Sequence, residues 1–268
     1  MPRFDPHPER RPVAVTGASS GIGAAIAQQL AALGHPVVLG ARRVERCEDL
    51  AATLRADGHE AAAVALDLTD DGSVARFAEE AAAVHGPLEV LVSNAGEVWP
   101  QAVHATDPAT FTRQVQVNLL GAQALLHAVV PGMVERGRGD VVLVTSDVVR
   151  APRPLMGAYM TAKHGAEGMA RAMQMELEGT GVRAGIVRPG PSSTEQGTTW
   201  SEGEVVEVVD EWNRWGLIRH DGALRPGDVA RAVTAMVTQP RGTHLTLIEV
   251  EPEAPAVRRT HVPRGEHR

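Results

Sequence analysis

The chain of 268 residues contains one tyrosine, Tyr159, and one lysine, Lys163, four residues apart; every other one of its 26 basic residues is arginine. Four residues along a helix are about one turn, a rise of roughly 6 Å, so both side chains fall on one face. A phenol ordinarily holds its proton until pH ~10, and each unit of lowering needs about 1.36 kcal/mol of preference for the phenolate. A neighbouring ammonium supplies that preference. Arginine would bring the charge on a wide planar fork, whereas lysine offers a compact point donor. The pair reads as a tuned proton donor and acceptor; a buried Tyr beside an unrelated surface Lys is the alternative.

A second chemical signal lies near the start, in Thr16-Gly17-Ala18-Ser19-Ser20-Gly21-Ile22-Gly23. It follows the apolar run Val13–Val15 and opens a stretch in which Ile26, Leu30 and Leu33 keep helical spacing, the context of a nucleotide-phosphate loop. Gly17 permits a tight turn, Gly21 lets backbone approach a pyrophosphate, and Gly23 allows close helix–strand packing. The N–H groups around Ser19, Ser20 and Ile22, at a helix start, favour an anion.

These residues must be held by an alternating fold. Strands are predicted at 13–15, 37–39, 63–68, 90–93, 141–145, 184–187 and 245–250. Helices are predicted after the glycine turn and near 44–57, 71–85, 107–136, 157–179 and 226–238. Seven apolar strands alternating with helices imply a single-domain α/β fold, a mainly parallel, doubly wound sheet with helices on both faces and ligands at the strands' carboxyl ends. Residues 1–11 read as a disordered lead, 12–251 as the domain and 252–268 as a polar tail. The rhythm breaks at 191–222, a long segment holding three of the four tryptophans and read as a substrate lid.

The Gly-x-x-x-Gly-x-Gly turn with Tyr-x-x-x-Lys downstream resembles the short-chain dehydrogenase/reductase family over roughly residues 12–250. Further motifs stand in order: Ser93-Asn94-Ala95-Gly96, Asn118 in Val-Asn-Leu, Ser146 thirteen residues before Tyr159, Pro189-Gly190, and Thr194. The resemblance implies a Rossmann sheet and a catalytic set of Asn118, Ser146, Tyr159 and Lys163. In that set Tyr159 is the general acid or base and Lys163 lowers its pKa and bonds the nicotinamide ribose. Ser146 stabilises the oxyanion, and Asn118 holds a proton-relaying water. It also implies that Asn94, Ala95 and Gly96 brace the sheet beside the cofactor, that Asp67 beside Leu68 takes the adenine amino group, and that Thr194 takes the carboxamide near Pro189 and Gly190. For Asp67 a turn or cap role stays open. A carbonyl accepting hydride gathers negative charge, so two aimed hydroxyls suit that transition state.

After the second strand stands Gly40-Ala41-Arg42-Arg43, with Ala41 where an NAD-selecting acid would be. Arg42, with Arg43 beside it, suits a 2′-phosphate, so NADP(H) is expected rather than NAD(H). Trp99, Pro154, Met156, Trp200, Trp212 and Trp215 suit an apolar pocket for a bulky ketone, or pack the lid onto the body. Asp147 and Glu97 face either substrate or solvent.

The expectation is an NADP(H)-dependent carbonyl reductase; the alternatives are an NAD(H)-dependent alcohol dehydrogenase working oxidatively and a non-catalytic NADP(H)-sensing regulator. Enoyl reductases space Tyr and Lys more widely, and extended epimerases carry a different glycine turn. A net charge of −7 and the absence of a basic tract argue against nucleic acid as partner. The 11 histidines do not cluster as ligands, so no metal is expected. One cysteine, no apolar leader and no 18-residue apolar run predict a cytoplasmic protein without membrane contact. The resemblance further implies a homotetramer or homodimer.

Overall fold

The computed structural model describes residues 5–195, 197 and 199–255. Seven strands form one parallel sheet: β1 Val13–Thr16, β2 Val37–Ala41, β3 Ala61–Ala65, β4 Val90–Ser93, β5 Gly139–Val144, β6 Val182–Pro189 and β7 Leu247–Val250, in the order β3-β2-β1-β4-β5-β6-β7. The chain winds outward from β1 to β3, then returns to pair β4 on the other side of β1. That reversal opens a crevice at the carboxyl ends of β1 and β4, the switch point where doubly wound sheets bind ligands.

Helices cover both faces. Ile26 and Leu30 of α1 (Gly21–Ala32), Leu54 of α2 (Val44–Ala56) and Val229 and Val233 of α8 (Pro226–Val237) pack on one face. Phe77 of α3 (Asp71–His85), Leu125 and Met133 of α5 (Gly121–Glu135) and Ala166 and Ala170 of α6 (Gly157–Glu176) pack on the other. Each fully buried Val, Leu or Ile contributes about 1.5–3 kcal/mol, so the two apolar layers dominate stability.

Several expectations need correction. β3 lies two to three residues earlier than 63–68, because Asp67 turns the chain: its Oδ1 accepts from the Thr69 N–H at 2.9 Å and hydroxyl at 2.7 Å. The helix expected over 107–136 is α4 (Pro108–Val115), one π-helical stretch Gln116–Leu120, and α5. By length and composition Pro108–Glu135 is apolar enough to cross a membrane, yet 44% of its most apolar window is buried in the body. The segment 191–222 contains a helix, α7 Glu202–Arg214, started by a reciprocal Ser201–Glu204 capping box.

Arg11, expected at the end of a disordered lead over 1–11, is tied down. Arg11 is buried and pairs with Asp140 at 2.5 Å while donating to the Val237 carbonyl at 2.8 Å. Arg183 closes on the same Asp140 at 2.6 Å. Residues 1–4 and, within the expected tail, 256–268 lie outside the described residues.

Candidate active site

Tyr159 and Lys163 lie one turn apart on α6, with the Lys163 Nζ 5.6 Å from the phenol ring centre. Lys163 is buried, and its ammonium donates to the Val144 carbonyl, at the end of β5, at 3.0 Å. Burial lowers its pKa from 10.5 to about 8, because a charged amine loses hydration there. A lysine so placed gives up a proton near neutral pH more readily than one in water.

Asn118 sits in the π-helical turn, where a widened helix re-aims a side chain. Its Nδ2 is spent on the Glu97 and Gln114 carbonyls, both at 2.8 Å. Its Oδ1 is buried and, among the described residues, has no hydrogen-bond partner. A Cβ on Gly96 would lie 2.6 Å from that Oδ1 and 3.5 Å from the Lys163 Nζ, so both polar atoms border one small space that only glycine leaves open. An unpaired buried acceptor costs about 1–3 kcal/mol unless water or ligand fills the place.

Ser146 begins the short 3₁₀ turn Asp147–Val149 after β5, and its hydroxyl donates to Asp147 Oδ1 at 3.2 Å. Asp147 is buried and paired with Arg153. Burial raises the Asp147 pKa, opposed by the Arg153 charge. Arg153 in turn stacks on the Trp212 ring, 4.7 Å from its centre. Thus Ser146 is linked through Asp147 and Arg153 to α7.

The glycine turn is braced by β4. The Thr16 hydroxyl accepts from the Asn94 and Ala95 N–H groups at 3.0 and 3.1 Å, and Asn94 Nδ2 donates to the Thr16 carbonyl at 3.0 Å. Gly17 has φ +68°, and a Cβ there would stand 2.8 Å from the Ala95 Cα. Arg43 donates to the hydroxyls of Ser19 and Ser20, each at 3.1 Å, and to Glu195 at 3.1 Å. Arg42 turns instead toward Glu97 at 3.4 Å. Thr194 lies over the turn: a Cβ on Gly21 would be 3.4 Å from its Cβ. Pro189 ends β6 and Gly190 follows it, with the Gly190 N–H on the Val250 carbonyl at 2.8 Å. Burial pushes the Asp67 pKa up, but the Thr69 hydrogen bonds together with the Arg42 and Arg113 charges bring it below the usual carboxylate value, while Leu68 is buried beside it. A dinucleotide fits these residues: a glycine turn open to backbone approach, a cationic end at Arg43, and an orphaned acceptor at Asn118.

On the substrate side, Tyr159 packs with Val98, Val148, Met156 and Val208 of α7, and with Trp200 and Trp212. Each indole is pinned by its N–H, Trp200 on the Val98 carbonyl at 3.0 Å and Trp212 on that of Pro154 at 3.1 Å. Leu155, between Pro154 and Met156, holds φ +67°, a strained value for a bulky residue. Trp99 is not part of this cluster; its ring lies 5.4 Å from the Arg113 guanidinium. Trp215 is not in this cluster; it is 64% exposed and bonds Glu211, so its place in a pocket lining is corrected.

Sequence reading missed Glu167, one further turn along the Tyr159–Lys163 face. It is buried, accepts from Thr145 at 2.9 Å, and is gripped by two nitrogens of Arg188 at 2.9 and 2.7 Å. The signal was the repeated four-residue interval.

A doubly wound sheet with a phosphate turn at its switch point and a tyrosine–lysine pair beside it defines a nicotinamide-dependent oxidoreductase. The family model described as short chain dehydrogenase matches residues 11–205. A "glycine betaine reductase" of Emericella nidulans is 34% identical over 89% of this chain, which spans only 18% of that protein's length. A "cis-4-hydroxycyclohexanecarboxylate dehydrogenase" of Sinomonas cyclohexanicum is 37% identical over 69% of this chain and 74% of its own. Among solved structures, an alcohol dehydrogenase from Thermococcus sibiricus complexed with 5-hydroxy-NADP superposes with TM-score 0.78 and 30% identity, over 90% of this chain and 96% of that one. The chain belongs to the short-chain dehydrogenase/reductase family and is an oxidoreductase acting on CH–OH groups.

Proposed function

We propose that the chain reduces a bulky apolar ketone with NADP(H). The observation that supports this is Tyr159 one turn from the buried Lys163, whose Nζ borders the same space at Gly96 as the orphaned Asn118 Oδ1, with Ser146 just after β5 and an apolar cluster around Tyr159 that includes Trp200 and Trp212. The glycine turn, Asn94–Gly96 and Lys163 would hold the cofactor, with Arg43 and Ser19 or Ser20 at its 2′-phosphate and Asp67 toward its adenine. When bound, the cofactor supplies or accepts a hydride at the carbinol carbon.

The chain's own residues handle the oxygen and its proton. Ser146 releases Asp147 and donates to the substrate carbonyl. Tyr159 donates at the same oxygen and passes its proton as charge develops, a positioned acid step of the kind that contributes about 10²–10⁴-fold. Lys163, already short of hydration, stabilises the resulting phenolate as an ammonium, returns a proton to it, and takes one back through a water held at Asn118 Oδ1. Trp200, Trp212 and Met156 exclude bulk water, which strengthens both hydrogen bonds at the oxygen. The working unit on this reading is a homodimer or homotetramer in a reducing compartment.

The test is oxidation of NADPH against ketones graded from small aliphatic to polycyclic, with an NADH arm. The expected result is kcat/KM rising with apolar bulk and favouring NADPH. Equal rates with both cofactors would return the NAD(H) alternative, and tight binding without turnover of any ketone or alcohol would return the sensor.

A further inference from the structure

The first cationic patch beyond the glycine turn already holds an anion, and it comes from the chain itself. Glu195 follows Thr194, and its carboxylate accepts from Arg43 at 3.1 Å and from Arg46 at 2.9 and 3.0 Å. Arg43 also binds the Ser19 and Ser20 hydroxyls, both at 3.1 Å, so two guanidinium groups and the turn's hydroxyls form one cradle around Glu195. Arg43 and Arg46 are spaced three apart at the start of α2, one on its first turn and one at its N-cap, which adds the helix dipole to their field. The neighbouring Thr194 rests against Gly21, which lays the same short segment across the turn. The carboxylate has a lowered pKa, led by its bond from Arg43, and is anionic at neutral pH.

We infer that Glu195 is a cofactor-selecting residue, an internal carboxylate that occupies the arginine cradle and that a 2′-phosphate must displace. This rests on the NADP(H) reading of Arg43 above. A carboxylate and a phosphate both satisfy guanidinium and hydroxyl donors, and the two cannot share them. A phosphate of nearly two negative charges also repels Glu195 at close range. A cofactor without the 2′-phosphate leaves the Glu195 bonds intact. Glu195 therefore lowers the advantage of NADP(H) over NAD(H) below what the bare arginines would give. Ala41, which lacks an acid beside the ribose, leaves Glu195 as the group that sets the balance.

The experiment is calorimetric titration of the full chain with 2′,5′-ADP and with 5′-AMP, which differ by that phosphate alone and need no turnover. Glu195→Gln is expected to tighten 2′,5′-ADP by about three- to tenfold, the range for freeing exposed charged partners and removing a like charge. Affinity for 5′-AMP should stay within about twofold. The double variant Glu195→Gln with Arg43→Gln should lose the gain, because it removes the cradle. No selective gain for 2′,5′-ADP in Glu195→Gln overturns the inference. In that event the wild-type chain still separates the causes: a preference for 2′,5′-ADP over 5′-AMP leaves the NADP(H) reading standing, and none removes it as well.

Discussion

Lys163 is costly to the fold and useful to the chemistry, and the cost is measurable. Its pKa is near 8 when folded and 10.5 when not, so the unfolded chain binds the proton more tightly. Stability is therefore penalised in full below pH 8 and regains the loss as pH rises toward 10.5. Lys163→Met should raise the unfolding free energy at neutral pH by about 3 kcal/mol, at about 1.36 kcal/mol for each pKa unit between 10.5 and about 8, while turnover collapses. Its margin over wild type should shrink as pH rises through that window; urea unfolding at neutral and alkaline pH checks both. The shared helical face of Tyr159 and Lys163 was legible from their spacing, whereas Ser146 and Asn118 were singled out only through the family resemblance. The Asp147–Arg153 pair was not legible, since a turn without periodicity folds those side chains together. Glu195 meets Arg43 across 152 residues, and no local pattern reports such a contact.

The α6 stripe shows how one helix serves both site and scaffold. Tyr159 and Lys163 face the crevice, and Glu167, one turn on, anchors the same face to β6 through Arg188. Arg188→Ala would leave the buried Glu167 without its bidentate cation, held only by the Thr145 hydroxyl at 2.9 Å and by Arg171 at 4.0 Å, a loss of about 3–5 kcal/mol in chemical unfolding. Arg188→Met with Glu167→Met should recover most of it, because the desolvation cost goes with the charges. Unchanged stability in Arg188→Ala would show that the pair is not an anchor. The π turn at Gln116–Leu120 was hidden in the sequence, because an added residue in a helical turn leaves the apolar spacing nearly intact. The edge of β3 was misplaced because Leu66 and Leu68 are as buried in the turn as they would be in a strand. α7 was not among the expected helices, since Val205, Val206 and Val209 are exposed and, within it, Val208 alone is buried.

The doubly wound sheet was readable throughout, because buried parallel strands are short continuous apolar runs and each is punctuated by a helix. What escaped was the fastening of the chain's start: Arg11 looks like surface arginine until Asp140 and Arg183, distant in sequence, enclose it. The sheet delivers the carboxyl ends of β1, β4 and β5 to one crevice, and α6 and α7 bring proton chemistry and an apolar wall to it. The central claim is that a hydroxyl on Tyr159 moves the proton in that crevice. The measurement that tests it is single-turnover ketone reduction by Tyr159→Phe, with cofactor affinity titrated on the same protein. The account predicts a rate lowered by about 10²–10⁴-fold with cofactor affinity within about threefold of wild type. A near-normal rate would contradict it.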